Sequence, residues 1–160
     1  LGTVMNGLLL RDCLVAHGVD ASVSCAFGID GVLPAFSAER SRRDLDDGKI
    51  VVLSGGTGNP FFTTDTTACL RALELNAETV IKATRVNGVY DRDPEQYSDA
   101  VRYDRLSFDQ AISEDLKIVD TTALTLCREH NLRLRVLDLG IENNLSQAMT
   151  DLTIGTLVEN

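Results

Sequence analysis

The densest group of side chains able to do chemistry is Ser54-Gly55-Gly56-Thr57-Gly58-Asn59-Pro60-Phe61-Phe62-Thr63-Thr64-Asp65. It follows Ile50 to Leu53, a continuous apolar, β-branched-rich run that reads as a buried strand. The glycines permit backbone geometries and close approaches that a Cβ would block. Thr63, Thr64 and Asp65 then offer cap-type side chains before the helical periodicity of Ala68 to Leu73. In a strand, glycine turn and helix start, backbone N–H groups converge and the helix dipole favours an anion such as phosphate. The spacing is neither Gly-x-Gly-x-x-Gly nor that of a P-loop. A tight connection with no ligand accounts for the glycines equally well.

A second group is Lys82-Ala83-Thr84-Arg85-Val86-Asn87-Gly88-Val89-Tyr90-Asp91-Arg92-Asp93-Pro94. On its residues alone it reads as a charged turn after a short strand, with Asn87-Gly88 supplying a hairpin-type turn. Asp120 precedes Thr121 where a helix pattern begins, which suits a helix N-cap.

These groups need a scaffold, and 160 residues suffice for one domain that buries roughly two-thirds of its unfolded surface. With 44% apolar and 24% charged residues, the chain reads as globular and soluble. A net charge of −9 and a pI near 4.6 argue against sequence-independent nucleic-acid binding or an anionic membrane surface. Any phosphate site must therefore be local. Cys13, Cys25, Cys69 and Cys127 are scattered, with only His17 and His130 to join them, so neither a zinc site nor a disulfide framework is expected. No stretch is long and apolar enough to span a membrane and no signal peptide is visible, which makes a cytoplasmic location the default. Without an initiator Met, Leu1 runs straight into a helical pattern, as if the chain were entered midway through a domain.

The periodicity predicts helices over Thr3 to His17, Glu39 to Asp47, Thr64 to Leu75, Asp104 to Ile112, Thr121 to His130 and Asn144 to Met149. It predicts strands at Ala21 to Cys25, Ile50 to Leu53, Thr79 to Lys82 and Leu134 to Leu137, an extended Ile118-Val119, and an edge strand at Gly155 to Val158. The first helix is apolar nearly all round and should be buried or lie at a subunit contact. The arginines of Glu39 to Asp47 read as a solvated face. Alternating strands and helices give an α/β fold with a largely parallel sheet flanked by helices.

Gly-Thr-Gly-Asn-Pro-Phe-Phe-Thr-Thr-Asp (Gly56 to Asp65) closely resembles the UMP-binding loop of the bacterial uridylate kinases, a branch of the amino acid kinase family. Gly88-Val89-Tyr90 and Asp93-Pro94 resemble that family's ATP-binding stretch, and the likeness runs to Tyr103-Asp104 and Gly155-Thr156-Leu157. The resemblance implies an amino acid kinase-like sandwich and transfer of the ATP γ-phosphoryl to UMP, giving UDP for pyrimidine biosynthesis. It implies Mg²⁺ carried on the nucleotide phosphates, with no metal held by the protein. Thr57, Gly58, Asn59, Pro60, Phe61, Phe62, Thr63 and Thr64 would line UMP. Thr84, Tyr90 and Asp93 would contact ATP, the flat face of Tyr90 beside adenine. Lys82 could approach the triphosphate as a point charge. Asp65 is either a cap or a group near the reacting phosphates, and Asp120 matches the aspartate that orients a phosphate-binding lysine. Arg11 matches a position near a GTP effector site. Homohexamers, with GTP or UTP as effectors, are implied as well.

The family's opening strand with Lys-x-Ser-Gly, and its Gly-Gly-Gly-Asn loop, have no counterpart here, so the chain resembles the C-terminal two-thirds of such an enzyme. Rival readings are a non-catalytic nucleotide-binding or oligomerising module, and an amino acid kinase acting on a carboxylate or carbamate.

Overall fold

A computed structural model describes residues 1–151 and 153–160. They divide into two compact units, Leu1–Thr67 and Ala68–Asn160. The α/β reading holds in each.

In the first unit, α1 (Gly2–Ala16) is followed by β1 (Ala21–Cys25), α2 (Ala38–Asp46) and β2 (Ile50–Ser54). Gly18, at φ 78°, turns the chain out of α1 as expected. Strands β1 and β2 pair in parallel from Ala21↔Ile50 to Cys25↔Ser54, with α2 in the crossover between them. The Ser37 hydroxyl caps α2 by accepting from the Arg40 amide. Ser41 is its one buried residue; Arg40 and Arg43 are exposed, as a solvated face requires, and Arg42 is half-buried. Val4, Val23, Cys25 and Leu33 form the core, with Leu8, Ile29 and Val52 against it. Helix α1 meets this core along a narrow strip. A Cβ on Gly7 would sit 3.4 Å from the Ser54 Cβ, while Met5, Leu9, Leu10 and Val15 face outward.

The second unit holds most of α3 (Thr64–Glu74), then β3 (Thr79–Thr84), β4 (Val89–Tyr90), β5 (Arg102–Tyr103), β6 (Arg105–Ser107), α4 (Phe108–Ser113), α5 (Thr121–Glu129), β7 (Arg133–Asp138), α6 (Asn144–Ala148) and β8 (Thr156–Glu159). Four strands make one sheet in the order β3-β7-β8-β6. Pairs β3–β7 and β6–β8 are parallel and β7–β8 is antiparallel, so the sheet is mostly parallel. Phe108, Leu134, Cys127, Ala123 and Val158 are buried at its centre.

Four details differ from the sequence reading. The closing strand β8 is interior rather than an edge, with Thr156 and Val158 fully buried between two partners. The helix expected from Asp104 begins at Phe108. Before it, Arg105-Leu106-Ser107 pairs with β8 and buries Leu106, a gain from tertiary contact that the local helical pattern cannot match. The Asn87-Gly88 turn does not fold β4 back on β3, because β4 pairs with β5 in a separate two-stranded ribbon. Ile118-Val119 is a bend: the Ile118 amide donates to the Leu116 carbonyl, and its side chain is buried.

One buried charge is accounted for. Arg135, 3% exposed in the middle of β7, donates to the carbonyls of Ala148 (3.0 Å) and Asp151 (2.7 Å) at the end of α6. Burial pulls its guanidinium below the usual arginine value.

Candidate functional site

The glycine stretch folds as its composition requires. Beyond β2 the chain turns through Gly55 (φ 78°), Gly56 (φ 66°) and Gly58 (φ 81°), a backbone that L side chains rarely adopt. At Gly55 a Cβ would also strike the Cys25 Sγ at 2.5 Å. The Thr57 hydroxyl accepts from the Asn59 amide (3.1 Å) and donates to the Asn59 carbonyl (3.3 Å), a local turn that holds the loop's shape. Phe61 takes a positive φ of 70° and is fully exposed, and Phe62 and Thr64 are exposed beside it. The cap of α3 is Thr63, whose hydroxyl accepts from the Thr66 amide at 3.2 Å. Asp65 is therefore not the N-cap. It stands half-buried in the first turn of α3, where a carboxylate complements the helix dipole.

In the second unit Lys82, Thr84, Tyr90 and Asp93 all line one cleft of about 500 Å³. They come from the end of β3, the strand β4 and the turn after it. The Lys82 ammonium donates to the Ile118 carbonyl at 2.9 Å, which fixes its direction across the cleft. The Thr84 hydroxyl is engaged with Val86, donating to its carbonyl (2.8 Å) and accepting from its amide (3.0 Å). It thus shapes the turn into Gly88. The Asp93 carboxylate accepts from the Glu95 amide (2.9 Å) and the Gln96 side chain (2.6 Å), organising the next turn. Next to it, Asp91 accepts from the Val101 amide at 2.8 Å. That bond, and then the adjacent Arg92, hold its carboxyl below the ordinary 3.8.

Asp120 lines an adjoining cleft of about 410 Å³ and caps α5, accepting from the Ala123 amide at 3.0 Å. Asp115, Leu116 and Lys117 line both clefts. Lys117 supplies a second lysine beside Lys82 and Arg92, paired with Asp115 at 2.8 Å. Asp120 alone is legible as a site residue in Leu116-Lys117-Ile118-Val119-Asp120, because a lysine there carries no local sign of the cleft it borders.

Arg11 is not in either setting: it lies on α1 with its guanidinium 2.7 Å from Asp12. A larger depression of about 590 Å³ over Gly28 to Pro34 is an open surface whose one charged lining residue is Asp30. Among the described residues, no group of three or more His, Cys, Asp or Glu is arranged to hold a bare metal ion, and no helix is long and apolar enough to cross a membrane.

Comparison with known proteins gives a consistent result. The sequence profile of the amino acid kinase family matches residues 1–138. A uridylate kinase from Francisella tularensis subsp. holarctica is 47% identical over 158 residues, which are 99% of this chain and 64% of that protein. One from Acinetobacter baumannii is 46% identical over 155 residues, or 97% and 62% of the two chains. The chain thus spans just under two-thirds of the length of these curated relatives. The crystal structure of a UMP kinase from Bacillus anthracis superposes with a TM-score of 0.94 at 29% identity, covering 99% of this chain and 66% of that one. The UMP kinase from Ureaplasma parvum gives 0.91 at 31% identity, covering 99% and 68%. The α/β fold is the one these structures share.

Proposed function

Because this chain belongs to the amino acid kinase family, we propose that it carries the UMP and ATP subsites of a uridylate kinase, which transfers the ATP γ-phosphoryl to UMP to give UDP. The observation that carries this reading is convergence. Lys82, Thr84, Tyr90 and Asp93 are separated in sequence by up to eleven positions, yet they line a single cleft. The likeness to uridylate and UMP kinases supports the choice of phosphoryl acceptor.

Phosphoryl transfer asks a protein for position and charge more than for covalent chemistry. In this reading Tyr90 offers its ring face to adenine, and Asp93 holds the turn beside it. Lys82, aimed by the Ile118 carbonyl, brings a positive charge toward the phosphates. Lys117, next to the Ile118 that holds Lys82, would add a second lysine once it parts from Asp115. Asp120, fixed by its own capping bond, orients a lysine. The loop from Thr57 to Thr64 receives UMP: the glycines bring backbone close, the threonines donate to phosphate, and Phe61 and Phe62 cover base and ribose. Asp65 lies near the phosphate end of that loop.

The donor set fits Mg²⁺ delivered on the nucleotide rather than held by the protein alone. Carboxylates line the clefts, but the described residues form no ligand cluster of their own. Bound there, Mg²⁺ would neutralise phosphate charge. Asp91, Asp93, Glu114 and Asp115 line the ATP cleft and Asp120 the adjoining one, and these are the carboxylates its waters could meet. A cytoplasmic homohexamer answering to GTP or UTP belongs to the same reading. The outward apolar residues of α1 are its natural subunit contact, and Arg11 lies on that helix.

Titration calorimetry of the chain with Mg·ATP, UMP, CMP and a carboxylate substrate tests the assignment. Saturable Mg·ATP binding with UMP preferred over the others is expected. Failure to bind UMP while a carboxylate or carbamate binds would overturn it.

A further inference from the structure

Resting on the ATP reading of the cleft given above, we propose that Thr156 is a positioning residue for ATP: its buried hydroxyl pins the β4–β5 ribbon to the sheet and so places Tyr90 and Asp93. Thr156 lies on β8, sixty-six positions beyond Tyr90, and is fully buried. Its hydroxyl accepts from the Val89 amide at 2.8 Å and donates to the Tyr103 carbonyl. Val89 and Tyr103 are partners in the antiparallel pairing of β4 and β5. One hydroxyl therefore bridges both strands of the ribbon, using its single proton and a lone pair.

The surroundings are built for this approach. Gly88 has φ 124°, and a Cβ there would lie 2.4 Å from the Thr156 hydroxyl oxygen and 3.0 Å from the Arg102 side chain. Gly155 has φ 72°, and a Cβ there would lie 2.0 Å from the Val136 carbonyl oxygen. Glycine on either side of the bond lets ribbon and sheet meet at this point. The ribbon itself is only two residues per strand, too short to be stable unaided. Its second fastening is Asp91, which accepts from the Val101 amide within the ribbon and so does not tie it to the sheet. Strand β5 is also joined to the sheet where it runs into β6, the Asp104 carbonyl accepting from the Leu157 amide at 3.0 Å. Thr156 supplies the tie on the β4 side, one residue before the ring of Tyr90.

A side chain that acts only through Tyr90 and Asp93 should change ATP affinity and leave UMP affinity alone. Thr156→Val keeps the shape, removes the hydroxyl and leaves the Val89 amide and Tyr103 carbonyl without it. It should weaken Mg·ATP binding about tenfold, the size expected when a buried hydroxyl is removed and the two backbone groups it served are left without it. UMP binding should stay within about twofold, and Thr156→Ser should recover most of the loss. Gly88→Ala, which pushes the ribbon off the hydroxyl from the other side, should mimic Thr156→Val.

The measurements are calorimetric titration with Mg·ATP and with UMP, and amide hydrogen exchange, on the 160-residue chain and its variants. Faster exchange confined to residues 89–91 and 101–103, together with the ATP-selective loss and serine rescue, is the expected result. Unchanged ATP affinity in Thr156→Val would overturn the inference. So would an equal loss for both nucleotides with faster exchange throughout, which would make Thr156 an ordinary core residue. If the unmodified chain binds no Mg·ATP, the ATP reading of the cleft itself fails and the inference falls with it.

Discussion

The loop from Gly55 to Asp65 and the cleft around Lys82 and Tyr90 are built in opposite ways. The loop is one unbroken stretch whose shape comes mainly from its own glycines and local hydrogen bonds such as that of Thr57 with Asn59, with one distant bond from the Gly55 amide to the Thr3 hydroxyl at its start. The cleft is assembled from the end of β3, the β4–β5 ribbon and the 114–118 segment, and is held by bonds that span the sequence, from Lys82 to Ile118 and from Val89 to Thr156. A locally encoded site is sensitive to changes within it. An assembled site can be broken from a distance. The experiments that would break or sharpen this contrast differ widely in expected size.

The largest effect is expected at Gly155, remote in sequence from every cleft residue. Alanine there combines a left-handed backbone with a Cβ 2.0 Å from a carbonyl oxygen. It should cost about 3 kcal/mol or more, read as a lowered urea midpoint with loss of Mg·ATP binding. The matching change in the loop, Gly58→Ala, meets nothing nearer than the Ala26 Cβ at 3.4 Å. It should cost about 1–2 kcal/mol, from the backbone alone. Equal losses at the two positions would erase the distinction.

Next in size is a reciprocal pair. Thr64→Ala should weaken UMP binding roughly ten- to a hundredfold while sparing ATP, the cost of a hydrogen bond to a charged group. Lys82→Ala should do the reverse. If Thr64→Ala weakened ATP and spared UMP, the two subsites would have to be exchanged.

A smaller effect is expected from acid. The Asp91 carboxyl is held below 3.8 by the Val101 amide, so the ribbon gains support from it above that pH. An open ribbon would take up a proton more readily, and the support is lost as pH falls through the depressed value. The Val101 amide shift, followed by NMR, should titrate with a midpoint below 3.8, and Asp91→Asn should remove the titration. A midpoint at or above 3.8 would show that the carboxylate does not hold the ribbon.

The smallest is at Arg11, whose pairing with the exposed Asp12 is a surface contact. Arg11→Ala should shift stability by less than about 0.5 kcal/mol and leave both nucleotide affinities unchanged. A loss in UMP or ATP affinity would bring α1 into one of the subsites.

The sequence by itself determined the order and kind of most elements, and the glycine turns of the loop. Ile50 to Leu53 had to be a strand because every position is apolar, although Ile50 is exposed and Val51 to Leu53 are half-buried rather than buried as expected. Gly55, Gly56 and Gly58 turn the chain at positive φ, which little else tolerates. Such signals act within a few residues and can be read there. Capping was less determined: Thr63, Thr64 and Asp65 were all suitable, and the point at which the first turn closes made it Thr63. Tertiary structure alone decided that Arg105 to Ser107 is a strand, that β8 lies inside the sheet, and that β4 pairs with β5. Each depends on which distant strand supplies the backbone hydrogen bonds, and a short segment carries no record of its partner. The same holds for Thr156. In sequence it is one hydroxyl in a closing strand, and only the fold brings it to the amide of Val89.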